Sequence, residues 1–144
     1  MKHIYNDGGR AAAGFKGKAG DCVARAVAIA SEQPYAEVYD ILANGMGSQR
    51  ITKKRHSKGR SARNGVSTKR KWFKDYMKSL GFKWTATMGI GTGCKVHLRK
   101  FDLPMGRIIA RVTHHYVAVI DGVINDTFDC SRNGTRCVYG YWSK

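Results

Sequence analysis

The sequence predicts an α+β fold in which helices come first and an antiparallel sheet follows. An Ala-rich stretch with apolar residues at helical spacing begins at Cys22, and a second helical pattern covers about residues 67–80. Beyond that pattern the chain changes to short runs that favour strands, and the hairpin dipeptides Asp121-Gly122 and Asn133-Gly134 punctuate them. The length of 144 residues fits one domain, which we take to span residues 1–144.

Three helices are expected in the first part of the chain, after a glycine-rich extended or looped lead-in over residues 1–20. They are expected at residues 22–30, 34 to about 43, and about 67–80. Asp21 is suited to cap the first helix, so Cys22 falls in its first turn. Gly45 and Gly47 are expected to end the second helix, because glycine is favoured just beyond a helix C-terminus.

Six strands are expected after the third helix. They cover residues 82–87, 95–99, 107–113, 115–120, 123–128 and 137–142. If Asp121-Gly122 forms a two-residue turn, Ile120 pairs with Val123. Side chains alternate along a strand, so this register puts Asp126 diagonal to His115 on the same face. The turn therefore predicts that the imidazole and this carboxylate lie within hydrogen-bonding reach.

The four cysteines are too few for a disulfide scaffold and favour a reducing cytosol. The Asn133-Gly134 dipeptide, taken as a second two-residue turn, sets Cys130 opposite Cys137. Residues paired in this way lie close enough for a disulfide, but two free thiols are the preferred interpretation in a reducing cell. No CxxC or HxxxH spacing is present, so neither a metal site nor a cofactor is predicted.

Cys22, His115 and Asp126 together have the chemistry of a catalytic triad. The first turn of a helix stabilises a thiolate through the macrodipole and free N–H groups, and the N–H of Cys22 itself suits an oxyanion hole. An imidazole beside the thiol completes a nucleophile–base pair, and a carboxylate on its far nitrogen orients it. Plain packing of the thiol in the Ala-rich helix is the alternative. The other choices for the base and the orienting group are His114, Asn125 and Asp129.

Two stretches of the sequence resemble papain-like cysteine peptidases, in particular the compact bacteriocin-processing (double-glycine) branch. They are Gly20-Asp21-Cys22 at the start of a helix and His115-Tyr-Val-Ala-Val-Ile-Asp-Gly much later in the chain. The resemblance implies a papain-like fold, in which Cys22 begins the central helix and this helix packs on the antiparallel sheet. It also implies a thiol hydrolase acting on a peptide or protein, with Cys22 as nucleophile, His115 as general base and Asp126 as orienting group.

The sequence departs from this family at the oxyanion hole. Papain-like enzymes carry a glutamine six residues before the cysteine, whereas this chain has Lys16 there. The candidates for a replacement donor are Lys16, Lys18 and Asn6. The departure leaves three interpretations open, namely peptide or amide hydrolysis, acyl transfer, and a non-catalytic protein built on the same fold.

The final segment, Gly134-Thr-Arg-Cys-Val-Tyr-Gly-Tyr-Trp142, and the chain as a whole resemble small proteins carried by tailed bacteriophages and prophages. That resemblance implies a phage-encoded protein in the cytoplasm of a host bacterium. The chain has no run of about 18 apolar residues, so no membrane segment is expected. Its N-terminus lacks the apolar core of a secretory signal, which also favours the cytoplasm.

The strongest charge feature is a basic segment over residues 50–74, in a chain whose net charge is +16. It holds eleven Lys and Arg and no acidic residue, and residues 50–66 are expected to be a flexible insertion. The residues expected to bind polyanions are Arg50, Lys53, Lys54, Arg55, Lys58, Arg60, Arg63, Lys69, Arg70 and Lys71. Such a segment binds nucleic acid without reading its sequence. The alternative function is therefore a non-catalytic basic protein that binds nucleic acid or a host partner.

Overall fold

The computed structural model describes residues 1–16, 20–48, 61–63 and 65–144. The described helices are α1 (Cys22–Ser31), α2 (Tyr35–Ser48) and α3 (Lys71–Ser79). The described strands are β1 (Lys2–Tyr5), β2 (Lys83–Ala86), β3 (Arg107–Val112), β4 (His115–Ile120), β5 (Val123–Asp126) and β6 (Gly140–Ser143). These elements confirm the predicted α+β class, although strand β1 precedes the helices. The longest described helix has 14 residues, and none of the described helices has the length and apolar character needed to cross a membrane.

Helix α1 lies at the centre of the molecule, and nine of its ten residues are buried. It begins at Cys22, as the sequence predicts, and packs against strand β4. Its alanines leave little side chain between the helix backbone and the sheet, which allows a close approach. Asp21 precedes the helix, but its side chain does not cap it. The side chain of Asp21 is therefore available for other contacts, described below.

Helix α2 runs further than the sequence predicts, because Gly45 and Gly47 lie inside it and do not end it. Gly45 meets the ring of Trp72, and a Cβ atom at this position would overlap that ring. The glycine therefore permits close packing of α2 on α3. Helix α3 begins later than predicted, at Lys71, because Arg70 still has an extended backbone with φ −76° and ψ 147°.

The six described strands form one mixed sheet in the order β1-β5-β4-β3-β6-β2. Strands β2 to β6 pair in antiparallel fashion, as predicted, whereas β1 joins the edge parallel to β5. The sequence analysis missed β1 because three of its four residues are exposed, so no alternating pattern marks it. The predicted strand at 95–99 is wrong, since this segment forms only an isolated bridge between His97 and Cys137.

The hairpin between β4 and β5 has the predicted register, with Ile120 paired to Val123. Asp121 (φ 47°) and Gly122 (φ 78°) are both left-handed, which is the geometry of a type I′ turn. This turn fixes which residues of β5 lie beside the start of β4.

Alternate residues of β4 divide between two hydrophobic clusters on opposite faces of the sheet. Ala118 packs with α1, α2 and α3 in the first cluster. Val117 and Val119 pack in the second cluster, which connecting segments cover with residues such as Leu98 and Val138. The helices therefore bury one face of the sheet, and the long connections bury the other.

The cysteine prediction is wrong for Cys137, which forms a disulfide with Cys94. Cys22 and Cys130 are free. Cys130 does not pair with Cys137 because residues 132–134 are all left-handed, so the expected two-residue turn is replaced by a longer one. An isolated β-bridge between His97 and Cys137 instead brings the sulfur of Cys94 close to that of Cys137.

Candidate active site

Cys22, the candidate nucleophile, lies in the first turn of α1 beside His115, the first residue of β4. The His115 imidazole and the backbone N–H of Tyr116 lie close enough to its thiol to lower the pKa of Cys22. The Cys22 side chain is partly exposed and lines a surface cleft of about 570 Å³. The thiol is thus held by its neighbours and accessible to a ligand.

The imidazole of His115 has a second partner in Asp126, the last residue of β5. Nε2 of His115 donates to Oδ2 of Asp126 over 2.6 Å. Asp126 is only 3% exposed, and its Oδ1 accepts from the backbone N–H of Thr127 over 2.7 Å. The structure therefore brings this imidazole and carboxylate together, as the Asp121-Gly122 turn predicts.

The electrostatic surroundings of these groups favour a charged pair. Burial raises the pKa of the Cys22 thiol, but the His115 imidazole and the positive charge of Arg25 outweigh it and lower the pKa overall. Burial lowers the pKa of His115, but the hydrogen bond to Asp126 and the nearby Cys130 and Cys22 outweigh it and raise the pKa well above its usual value. Burial of Asp126 is likewise outweighed by His115, which holds the pKa of that carboxyl below its usual value.

Behind the thiol–imidazole pair lies a buried ion network that the sequence analysis did not identify. The guanidinium of Arg25 lies 3.4 Å from Oδ1 of Asp126 and also donates to Asp21. Asp21 accepts from Nη1 of Arg10 over 3.1 Å and from the hydroxyl of Tyr35 over 2.5 Å. The three charged residues Arg10, Asp21 and Arg25 are all buried. The network links the start of α1 to the carboxylate of Asp126.

One sequence signal could have revealed part of this network. Arg25 is the charged residue in an otherwise uncharged helix, and it stands four residues after Asp21. Residues at this spacing face each other across a turn, and a charge on an apolar helix needs a partner. Arg10 and Tyr35 carry no comparable signal, because both reach Asp21 through tertiary packing.

The alternative residues for the base and the orienting group lie elsewhere. His114 is exposed in the turn between β3 and β4, where it has φ 53° and lines the cleft. The Asn125 amide donates to a backbone carbonyl of its own strand, and the Asp129 carboxylate accepts from the turn that follows it. Among the candidate carboxylates, Asp126 is the one that holds His115.

The predicted oxyanion donors are not gathered at the cleft. The Asn6 amide donates to Asn125 over 3.3 Å, beside strand β5. Lys16 is exposed, and neither it nor Asn6 is among the described residues that line the cleft. Lys18 lies outside the described residues. The backbone N–H of Cys22 is the predicted donor that stands at the cleft, and a first-turn N–H has no intrahelical acceptor.

The residues expected to bind polyanions fall into two groups. Those outside the described residues are Arg50, Lys53, Lys54, Arg55, Lys58 and Arg60. Arg63 and Lys69 are exposed, and Arg70 is partly buried just before α3. Lys71 begins α3 and pairs with Asp75 over 2.7 Å. The described part of the basic segment therefore has exposed cations before α3 and at its first residue.

His115, Asp126 and Cys130 could also hold a metal ion, because one potential ligand atom of each lies within 4.8 Å of the other two. Imidazole, carboxylate and thiolate are ligands that zinc accepts. In this arrangement, however, His115 already donates to Asp126, and the Arg25 cation lies beside the same carboxylate. A metal ion would have to compete with both contacts. The sequence carried no signal for this group, because its members stand on separate segments.

No family model matches the chain, and neither a curated protein nor a solved structure matches it. The site consists of a partly exposed thiol, an imidazole beside it and a buried carboxylate that is hydrogen-bonded to this imidazole.

Proposed function

We propose that this protein is a thiol hydrolase in which Cys22 is the nucleophile, His115 the general base and Asp126 the orienting group. The observation that carries the proposal is the chain of contacts from the Cys22 thiol through the imidazole to the buried carboxylate, at the wall of a cleft. A thiolate–imidazolium pair of this kind is a competent nucleophile near neutral pH. The proposed substrates are peptides or proteins, cleaved at a peptide or isopeptide bond.

A papain-like fold is part of the same proposal. It is supported by a cysteine that opens a buried helix, a histidine that opens an adjacent strand and an aspartate on the next strand. The likeness of the final segment to phage and prophage proteins adds the proposal of a phage-encoded protein that acts in the cytoplasm of a host bacterium.

In the first step of the proposed reaction the Cys22 thiolate attacks the carbonyl carbon of the scissile amide and forms a carbon–sulfur bond. The carbonyl electron pair moves onto oxygen, which accepts a hydrogen bond from the backbone N–H of Cys22. The carbon–nitrogen bond then breaks, and Nδ1 of the His115 imidazolium gives its proton to the leaving amine. A thioester on Cys22 and a neutral imidazole remain.

In the second step water attacks the thioester carbon while His115 takes a proton from that water. The carbon–sulfur bond breaks, the carboxylic acid product leaves, and the thiolate–imidazolium pair is restored. An amine in place of water gives acyl transfer with the same proton movements. Asp126 changes no bond in either step, and it stabilises and orients the imidazolium.

A non-catalytic basic protein that binds nucleic acid or a host partner is the second candidate. It is favoured by the exposed lysines Lys69, Lys74 and Lys78 on and before α3. With this function Cys22 contributes packing alone, so Cys22→Ala leaves binding intact and removal of the lysines weakens it. The two candidates therefore differ in which substitution abolishes function.

Acylation by p-nitrophenyl acetate tests the proposed function, with the modified residue identified by mass spectrometry. We expect an acetyl thioester on Cys22 that forms and then hydrolyses in the wild-type protein. Cys22→Ala should abolish it, and His115→Ala should slow its formation strongly. Cys130→Ala is the matched control, since it removes a thiol beside the same imidazole and should leave acylation in place. No adduct on Cys22 of the folded protein, or an adduct that never hydrolyses, would contradict a hydrolase.

A further inference from the structure

The cleft beside Cys22 adjoins a second depression of about 280 Å³, and Thr68, Arg111 and Tyr116 line both. The second depression is termed the basic cleft here. The rest of its lining includes Lys69, Lys74, Lys78, Trp84 and Trp142. Because the two depressions meet at Arg111, a ligand whose reactive group lies at Cys22 can extend past Arg111 into the basic cleft.

The basic cleft has four cationic side chains and no acidic residue among those that line it. Lys69, Lys74 and Lys78 are exposed, and Arg111 is partly buried. Within the described ranges none of the four forms a salt bridge, whereas Lys71, on the same stretch of chain, pairs with an acid of its own helix. Unneutralised cations around a concave surface attract anions, and the planar guanidinium of arginine suits a carboxylate.

We propose that the basic cleft is a substrate subsite that holds an acidic side chain of the peptide presented to Cys22. This inference rests on the function proposed above and names its substrate class as acidic peptides. Arg111 is the cation that lines both depressions, so it borders the path from Cys22 into the basic cleft. The three lysines lie along the rest of the basic cleft and add attraction that falls as salt rises.

A peptide carboxylate fits the basic cleft better than nucleic acid does. Single-stranded nucleic acid binds on aromatic faces that are free to stack with bases. In the basic cleft Trp142 is 3% exposed and Tyr116 is 6% exposed, and the ring of Trp84 packs on Trp142 with centroids 5.3 Å apart. The basic cleft thus offers cations with little free aromatic surface, and its volume is below that of sites for drug-sized ligands.

The experiment uses short peptides that alkylate Cys22 through a chloroacetyl group at one end and have no charged residue outside the tested position. Each test peptide contains one Glu, and its matched partner has Gln at the same position. That position is varied from one to four residues away from the chloroacetyl group. Two series are made, one with the chloroacetyl group at the N-terminus and one with it at the C-terminus. Mass spectrometry gives the alkylation rate of Cys22 at low salt. At one position at least we expect the Glu peptide to react about tenfold faster than its Gln partner. Arg111→Gln should bring that ratio close to one, and Lys100→Gln, which removes a charge outside the basic cleft, should preserve it.

Iodoacetamide labelling separates failure of the inference from failure of the proposed function. If iodoacetamide labels Cys22 slowly and His115→Ala changes nothing, the proposed function fails and the subsite with it. If labelling is fast and depends on His115, but Glu and Gln peptides react equally at every position, the subsite alone is overturned. Equal peptide rates together with protection of Cys22 by an oligothymidylate would overturn it in favour of nucleic acid.

Discussion

Cys22 and Cys130 are the two free thiols of the described chain, and both lie close enough to the imidazole of His115 to raise its pKa. Their surroundings differ. Cys22 is partly exposed at a helix start on the wall of a cleft, whereas Cys130 is 2% exposed in the hydrophobic cluster on the other face of the sheet. The backbone N–H of Tyr116 and the positive charge of Arg25 also lower the pKa of Cys22. Proximity to an imidazole therefore does not by itself make a nucleophile, which also needs access and stabilisation of its thiolate.

Asp21→Asn is expected to have the largest effect on stability, because it breaks the ion network beside the start of α1, where Cys22 lies. The substitution leaves Arg10 and Arg25 buried without their shared carboxylate. Removing one partner of a buried pair costs about 3–5 kcal/mol, and we expect that loss in the free energy of unfolding measured with urea. Asp75→Asn is the control, since it removes an exposed pair and should leave stability unchanged. Equal losses in the two variants would show that the network does not hold this region.

Loss of the Cys94–Cys137 disulfide is expected to affect stability without affecting Cys22. The bond joins residues separated by 43 positions, for which loop-closure entropy gives about 4 kcal/mol. The double variant Cys94→Ala, Cys137→Ala should therefore unfold at lower urea, and reductant should lower the wild-type midpoint by a similar amount. The pH profile of Cys22 labelling should persist, because neither residue is among the groups that shift the pKa of Cys22. A wild-type midpoint that reductant does not move would contradict the disulfide.

Asp126→Asn removes the carboxylate that holds the imidazole of His115, beside which both thiols lie. Without the carboxylate, His115 loses the strongest of the contacts that raise its pKa, so the charged form that stabilises the Cys22 thiolate is weakened. We expect Cys22 to react with iodoacetamide roughly tenfold more slowly at pH 6, as one pKa unit corresponds to a factor of ten. The matched variant Asp129→Asn, at an exposed carboxylate, should keep the wild-type rate. Equal rates in the two variants would mean that Asp126 does not orient the base.

The same variant should change the pH dependence of stability, best measured in a Cys22→Ala background where this thiol cannot titrate. The lowered pKa of Asp126 contributes stability above about pH 4, and the contribution is lost as pH falls through that pKa. The raised pKa of His115 contributes stability that is fully present below about pH 6.5. This contribution is lost as pH rises through the raised pKa of His115 in the folded protein. The pair thus stabilises most between these two values, and Asp126→Asn should flatten the maximum. A maximum that survives the substitution would contradict this assignment.

Cys130→Ala removes the buried one of the two free thiols and should have the smallest effect. It removes one of the three neighbours that raise the pKa of His115, while Asp126 and Cys22 remain. We expect the iodoacetamide labelling rate of Cys22 at pH 6 to change by less than about threefold, in line with the modest net value of one hydrogen bond. A rate as low as that of Asp126→Asn would mean that the two thiols act on the imidazole as a unit.

The contact between His115 and Asp126 could be predicted from the sequence, because a two-residue turn fixes the register of the strands it joins. With Asp121-Gly122 as that turn, strand alternation alone puts both side chains on one face. Cys22 could be assigned to a helix start from the residues around it. Each of these inferences depends on residues that are close together in the sequence.

The remaining features depend on tertiary contacts that local patterns do not encode. Strand β1 comes from the far end of the chain to join β5, and its exposed residues give no period to detect. Cys94 reaches Cys137 across 43 residues, which no turn rule anticipates. Asp21 has the position of a helix cap, but its carboxylate binds Arg10 and belongs to an ion network instead.

The rate of iodoacetamide labelling of each cysteine, measured against pH, tests whether Cys22 is a thiolate paired with His115. We expect Cys22 to label with a midpoint well below the ordinary thiol value near 8.5, and His115→Ala to slow it about 100-fold at pH 6. Cys130 should stay protected until the protein unfolds, because it is buried. Urea denaturation of His115→Ala confirms that the variant is folded when labelled. A Cys22 midpoint near 8.5 that is the same in the wild-type protein and in folded His115→Ala would contradict the thiolate–imidazolium pair.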